Sequence, residues 1–195
     1  MQQVRDEELM LSYQKGDMQA MNELLLRYKN PVYRFVFRIS NNCSEAEDIA
    51  QEVFLKVHEF RSSYLPIGKF STWIFTIAHN LGISRLRKRK WLVSWPRKQD
   101  DPEELIEFES PEPSPQEIAA ENDLSVKIKE CIQCLPFLQK EALVLREYEN
   151  LDYKEVGRIL KKTQATVKSL IYRARQNLKK KLLPYIGEYK GGSDV

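Results

Sequence analysis

Residues Tyr153–Leu182 read YKEVGRILKKTQATVKSLIYRARQNLKKKL, and this stretch predicts two short amphipathic helices meeting at a turn near Lys161–Thr163. Thr163 is a good start for the second helix, because its hydroxyl can accept from a backbone N–H left free in the first turn. From there Val167, Ile171, Ala174, Leu178 and Leu182 recur at helical spacing and make one apolar stripe. Ala165, Lys168, Ser169, Tyr172, Arg173 and Gln176 fall on the other side of the wheel. That side offers cations, a hydroxyl, an amide and a flat ring on a helix that a DNA major groove can admit. A helix-turn-helix of this kind reads duplex DNA more often than anything else; the competing reading is a solvated basic face on an ordinary helical hairpin. Two positions depart from the common pattern. Gly157 suits close helix packing but weakens the helix that holds it, and Lys161 stands at the turn where glycine is common.

The charge pattern extends this reading along the chain. The net charge of +3 is unremarkable, but its distribution is not. Arg85–Lys98 holds seven basic residues and no acid, Asp100–Val126 ten acids and no base, and Lys154–Lys181 ten bases against Glu155 alone. Two cationic blocks flanking an anionic one suggest two nucleic-acid contacts held apart by a tether that avoids duplex DNA. A chain of 195 residues, 42% of them hydrophobic, fits one large domain or two small ones, and nine prolines with only seven glycines beside long periodic runs favour helices. The expected architecture is all-α: a helical domain over 1–95, an acidic, Pro-rich linker over 96–121, a helix-turn-helix domain over 122–190 and a flexible tail over 191–195. Within the linker, Pro102, Pro111, Pro113 and Pro115 stand among carboxylates, and a short helix is expected to start near Ser114. No apolar run approaches the length of a bilayer span. The N-terminal MQQVRDEELM is too polar and acidic for a signal peptide, and three cysteines fit a reducing compartment. A cytoplasmic chain without membrane insertion is expected.

The remaining helices are expected over Leu9–Lys15, Ala20–Arg38, Ser44–Phe60, Ser71–Lys90, Val126–Leu135 and Leu138–Glu147. At the third of these, Ser44 and Glu47 have the form of a capping box. Ala46, Ile49, Ala50, Val53, Phe54 and Val57 then build a wide buried stripe, with Asp48, Gln51, Glu52, Leu55 and Glu59 opposite. Such a face could dock on a basic protein element with Leu55 as an apolar anchor. Taken alone, these residues are better explained as a solvated acidic surface with one stray leucine. On the helix from Ser71 the core stripe is Phe70, Ile74, Ile77, Ala78 and Leu81. A second stripe, Trp73, Thr76, Asn80, Ile83 and Arg87, runs along one shoulder and ends among Arg85, Lys88, Arg89 and Lys90. An aromatic, an amide and cations in line form a platform for unpaired bases beside a phosphate clamp. The preceding loop, Arg61–Lys69, could shape a pocket for a base drawn out of the stack. A core tryptophan with solvated charge is the alternative.

Three stretches in this order, EAEDIAQEVFLKVHEF (Glu45–Phe60), KFSTWIFTIAHNLGISRLRKRK (Lys69–Lys90) and the helix-turn-helix run, together resemble a bacterial sigma factor of the extracytoplasmic-function (ECF) group of the sigma-70 family. The resemblance covers most of the chain. It implies a two-domain transcription initiation subunit without the large intervening domain of housekeeping relatives, acting with core RNA polymerase and promoter DNA and held in check by an anti-sigma factor. It implies that Asp48, Gln51, Glu52 and Leu55 face the clamp helices of the polymerase largest subunit, which reverses the weighting of the acidic face. Lys69, Phe70, Ser71, Trp73, Asn80, Arg85, Arg87 and Lys88 would engage the −10 element and its opened strand. Thr163, Gln164, Lys168, Ser169, Tyr172, Arg173 and Gln176 would read the −35 element. The family run GTVKSR is here Ala165–Leu170, ATVKSL, so Leu170 replaces an expected arginine and a phosphate or polymerase contact there is in doubt.

Other classes fit less well. Cys131–Ile132–Gln133–Cys134 is a CxxC, but it lacks the second ligand pair of a structural zinc site, and neither His58 nor His79 stands at metal-motif spacing from it. No βαβ pattern surrounds it, which argues against a thioredoxin-like redox motif; Cys131 is expected to point inward with Ile128 and Leu135. An ordinary helix-turn-helix repressor that binds DNA unaided is the nearer alternative. The chain carries no glycine-rich phosphate loop, no nucleophile motif and no paired-carboxylate site. No enzymatic role, cofactor or metal is expected, and His79 is expected to be packed or solvated.

Overall fold

The computed structural model describes residues 4–94 and 123–190, with side chains over 4–85 and 125–185. The expected linker and its short helix, the tail over 191–195, and the side chains of Arg87 and Lys88 lie outside the described residues. The rest is helical, as the periodicity predicts. The N-terminal half has α1 (Asp6–Gln14), α2 (Met18–Ser40), α3 (Cys43–Glu59), a 3-10 turn (Arg61–Ser63) and α4 (Phe70–Ser94). The C-terminal half has α5 (Asp123–Gln133), α6 (Phe137–Glu147), α7 (Tyr153–Leu160) and α8 (Gln164–Lys190).

Local chemistry sets the boundaries. Asp17 caps α2 by accepting from the N–H groups of Gln19 and Ala20. Asn41 ends α2 in the left-handed region, φ 55°, and leaves Asn42 extended at the start of α3. The amide oxygen of Asn42 then accepts from Glu45 N–H at 2.8 Å. This corrects the expected capping box: Ser44 is already inside α3, and the cap is Asn42, because the αL turn brings its short side chain to the third N–H of the helix. α4 starts one residue before the expected Ser71, since Glu7 on α1 accepts from Phe70 N–H at 2.9 Å and satisfies that free donor from outside the helix.

Periodicity becomes packing on both sides of the linker. Met10, Leu24, Phe35, Ile49, Phe70, Ile74 and Phe75 are buried in the first half, and Leu145, Ile159, Val167, Ile171 and Ala174 in the second. These residues belong to one connected apolar cluster rather than two. α4 packs along α7, and α2 packs against α5 and α6. The charge pattern suggested two halves held apart; here they are in contact.

Candidate nucleic-acid interface

The helix-turn-helix is defined by its caps and its turn. Asp152 accepts from Lys154 and Glu155 N–H, and the Glu155 carboxylate accepts from Asp152 N–H at 2.7 Å, so a complete capping box starts α7. Sequence reasoning missed this box although Asp152 and Glu155 stand at its spacing. α7 ends at Lys161 in the left-handed conformation, φ 53°, and Lys162 N–H donates to Gly157 O at 2.9 Å. A Cβ on Gly157 would lie 2.8 Å from the carbonyl oxygen of Lys162, which is why a side chain is absent there. Thr163 caps α8 as expected, its hydroxyl accepting from Thr166 N–H at 3.2 Å.

Val167, Ile171 and Ala174 are buried under α8. Thr163, Gln164, Lys168, Ser169, Tyr172, Arg173 and Gln176 are exposed, Tyr172 by 65% of its surface. Arg175 pairs with Glu147 at 2.6 Å, and the Asn177 amide donates to Gln139 at 2.9 Å, two polar contacts that join α8 to α6. Leu170 is half-buried and packs on the apolar cluster. That contact accounts for a leucine at this place.

α3 buries Ala46, Ile49, Ala50, Val53 and Val57. Its other side shows Asp48, Gln51 and Leu55 to solvent, Leu55 by 69%, with Glu52 partly exposed. The guanidinium of Arg85 on α4 reaches this face, 3.2 Å from Glu52 and 3.8 Å from Asp48. Arg85, expected to hold DNA, is therefore shared with the acidic face.

The start of α4 is an aromatic knot. Phe70 is completely buried, edge-on to Tyr28 at 5.0 Å between ring centroids. Trp73 is half-buried against Tyr64 at 5.0 Å and Phe70 at 5.7 Å. Burial, with the acids Glu7 and Asp6 nearby, pushes the Tyr64 phenol up to about 12. The Gln14 amide donates to the carbonyls of Arg61 and Tyr64 and anchors the loop that follows α3. Of the expected strand-contacting residues, Phe70 offers no surface to a base: it is the floor on which Trp73 rests. Ser71 is half-buried, while Lys69 and Asn80 are exposed. Leu65 and Ile67, in the loop before Lys69, are 67% and 83% exposed; they escaped notice in the sequence because isolated loop apolars carry no periodic signal.

Two further features concern the expected outsiders. His79 is packed, 5% exposed, with Nδ1 at 2.7 Å from Glu141 Oε1. Cys131 is buried near the end of α5 and Cys134 is exposed just beyond it. Among the described residues no cluster of His, Cys, Asp and Glu is placed to hold a metal, and no helix is long and apolar enough to cross a membrane.

The family model for sigma-70 region 2 matches residues 24–92, and that for sigma-70 region 4 matches residues 125–178. The chain is 34% identical over 171 residues to the ECF RNA polymerase sigma factor SigW of Bacillus subtilis, covering 86% of this chain and 91% of that one. The chain belongs to the ECF group of the sigma-70 family. It is also 29% identical to the RNA polymerase sigma-H factor of Pseudomonas aeruginosa over 195 residues, 95% of this chain and 98% of that one. Among solved structures, the sigma factor RpoE of Bartonella quintana, in complex with the anti-sigma factor NepR, shares its fold with a TM-score of 0.66 at 23% identity, over 83% of this chain and 95% of that one. CnrH, in complex with the cytosolic domain of CnrY, gives 0.66 at 18% identity over 91% of this chain. In this ECF sigma factor, α2 to α4 fall in region 2 and α5 to α8 in region 4.

Proposed function

We propose that this sigma factor makes no covalent chemistry and acts by placing three surfaces on one promoter complex. The acidic side of α3, Asp48, Gln51, Glu52 and Leu55, docks on core RNA polymerase. α8 enters the duplex major groove at the −35 element, where Lys168 and Arg173 set register on phosphates and Ser169, Tyr172, Gln176, Thr163 and Gln164 approach base edges. Lys69, Ser71, Trp73 and Asn80, with Arg85, Arg87 and Lys88, hold the opened −10 strand; each base stacked there contributes about 1–3 kcal/mol and so favours the melted state. Residues 1–95 and 122–190 act as separate modules joined by the acidic linker over 96–121, and the join raises the effective concentration of one DNA contact once the other has formed. The protein works in the cytoplasm. An anti-sigma factor is the expected inhibitor, and the similar RpoE structure, a complex with the anti-sigma factor NepR, supports this.

The observation that carries this reading is the face of α8: seven expected −35 residues all open to solvent on a helix whose opposite side is buried and whose start is capped. The test is transcription in vitro with bacterial core polymerase on a promoter library, with and without the protein. Promoter-specific RNA chains that depend on the protein are expected. Failure to associate with core polymerase, or association without any initiation, refutes the reading. Operator binding by the free protein without polymerase would favour a stand-alone helix-turn-helix regulator.

A further inference from the structure

Two cysteines that the DNA reading leaves unused stand one helical turn apart. Cys131 is in the last turn of α5, and Cys134 directly follows that helix. Cys134 N–H donates to Glu130 O at 3.2 Å, so the helical turn that contains Cys131 runs on to Cys134. Helical geometry then puts the two Cα atoms about 5 Å apart, inside the window of roughly 4.4–6.8 Å in which a disulfide closes. The chain leaves the helix at Leu135 and Pro136, so Cys134 sits at the free end of the turn rather than within a rigid helix. Both thiols are free.

The pair is asymmetric. Cys134 is exposed, whereas Cys131 is 8% exposed. Burial pushes the Cys131 thiol up, against the pull of Lys181. It therefore stays a protonated, inert thiol until an electrophilic sulfur is presented to it. The buried Lys140 ammonium is in electrostatic contact with Cys134 and donates at 2.8 Å to Gln133, the residue just before Cys134. Packing explains Cys131 alone; an exposed thiol one turn away adds nothing to a core. A metal does not explain the pair either, since among the described residues no further His, Cys, Asp or Glu completes a site.

We propose that Cys131 and Cys134 are a reversible dithiol in region 4, oxidised by a peroxide and reduced by a cellular thiol. With hydrogen peroxide, the exposed Cys134 thiolate attacks one oxygen. An S–O bond forms, the O–O bond breaks, and the departing hydroxide leaves as water with the proton that the Cys134 thiol gave up. The Cys131 sulfur then attacks the Cys134 sulfur. The S–S bond forms, the S–O bond breaks, and the hydroxide leaves as water with the Cys131 proton. Two electrons pass from the sulfur pair to the peroxide. Thiol–disulfide exchange with two molecules of a small thiol restores both cysteines and leaves that thiol as its own disulfide. Exposed disulfides are the labile ones, and in a reducing compartment such bonds are transient and sense oxidants. The bond ties the last turn of α5 to the corner from which α6 starts, so oxidation stiffens that corner.

The test uses the full chain and equimolar hydrogen peroxide, removed with catalase before the remaining thiols are alkylated in urea. Both cysteines fall in one tryptic peptide, Glu130–Lys140, and Cys43 falls in another that follows Arg38. We expect the Glu130–Lys140 peptide to lose two hydrogens and escape alkylation, Cys43 to remain alkylated, and glutathione to restore both thiols. In Cys131→Ser, dimedone should trap a sulfenic acid at Cys134 that the wild-type chain does not accumulate. Amide exchange at Cys134, Leu135 and Phe137 should slow in the oxidised chain. Circular dichroism checks folding, and should Cys131→Ser fail to fold, the wild-type peptide masses decide alone. A Cys134 that ends as sulfinic acid, joins two chains or pairs with Cys43 overturns the dithiol, as does a Glu130–Lys140 peptide alkylated at both cysteines after peroxide. A disulfide that glutathione leaves intact overturns its reversibility, and unchanged exchange overturns the stiffening. These readouts involve neither polymerase nor DNA, so their failure leaves the sigma-factor reading standing.

Discussion

Replacing Gly157 and Gly82 by alanine, one at a time, applies the same chemical change to two helices with opposite expected signs. Each substitution removes glycine from a helix interior, which by propensity alone stabilises by about 0.5–1 kcal/mol. At Gly82 on α4 the new methyl group meets nothing within 4 Å, so that gain stands. At Gly157 on α7 the new Cβ sits 2.8 Å from Lys162 O, with Val167 Cγ2 at 3.8 Å and Gln164 N at 3.9 Å behind it. The clashing atom is backbone, and no rotamer can move it. It belongs to the turn closed by Lys162 N–H on Gly157 O and by the αL residue Lys161. Relief therefore means shifting α8 against α7, and overpacking of this kind costs about 1–3 kcal/mol. After subtracting the propensity gain, Gly157→Ala should destabilise by up to about 2.5 kcal/mol while Gly82→Ala stabilises by up to about 1 kcal/mol. Urea unfolding at fixed pH measures both differences. The shift of α8 should also weaken −35 duplex binding in the holoenzyme. Equal stability of the two variants would refute the turn-packing argument, since the contact with Lys162 O is the one clash that distinguishes them.

Three further outcomes are expected. Arg173→Ala should lose about 1–3 kcal/mol of −35 selectivity in promoter competition assays while affinity for core polymerase is unchanged; equal loss of both would count against the α8 assignment. Leu55→Ala, at a side chain 69% exposed, should leave urea unfolding within about 0.5 kcal/mol of wild type and weaken holoenzyme formation about tenfold, equivalent to roughly 1.4 kcal/mol of lost apolar contact; unchanged core affinity would remove Leu55 from the docking face. Glu149, pushed from 4.5 to about 7 chiefly by burial against the opposing pull of Arg38 and Arg34, makes the fold proton-linked. The folded state holds that proton more tightly than the unfolded chain, so its contribution is full below the ordinary carboxyl range and is lost as pH climbs from about 4.5 through 7. Glu141, raised by burial, acts in the same direction. The urea midpoint should therefore fall across that window, and Glu149→Gln should flatten the slope; a slope unchanged in Glu149→Gln would clear this group of the linkage.

Much of the fold is legible because it is periodic. The apolar stripes of α3, α4 and α8 are the buried faces found, and Thr163 caps where its position says it should. The boundaries were harder, since a cap depends on backbone geometry set by the preceding residue. Ser44 and Glu47 have the letters of a capping box, but Asn41 in the αL region hands the role to Asn42. Roles that depend on partners distant in sequence were not legible at all. The apolar stripe put Phe70 in the core while the family resemblance put it on the strand surface, and its packing against Tyr28 and Tyr64 agrees with the stripe. His79 meets Glu141 and Lys69 meets Glu155 across gaps that no local pattern spans. The charge blocks mark two cationic stretches but carry no information on their spacing, because a charge count is blind to which helix faces which.

Arg85 shows why the site cannot be divided cleanly among its tasks. One guanidinium, 42% exposed, sits on the helix proposed to meet the −10 strand and lies within reach of Asp48 and Glu52, on the side of α3 proposed to face polymerase. It cannot hold both carboxylates and a phosphate with full geometry at once. Its present pairs are solvent-exposed and of long to moderate length, the class that contributes about 0–1 kcal/mol. Transfer of Arg85 from the acidic face to a phosphate therefore meets little resistance, whereas transfer of Lys69 leaves behind a Glu155 carboxylate that is buried and locked into its cap without its cation, which costs more. Of the cations proposed for the strand, Arg85 leaves exposed carboxylates behind and Lys69 a buried one. The difference follows from burial alone.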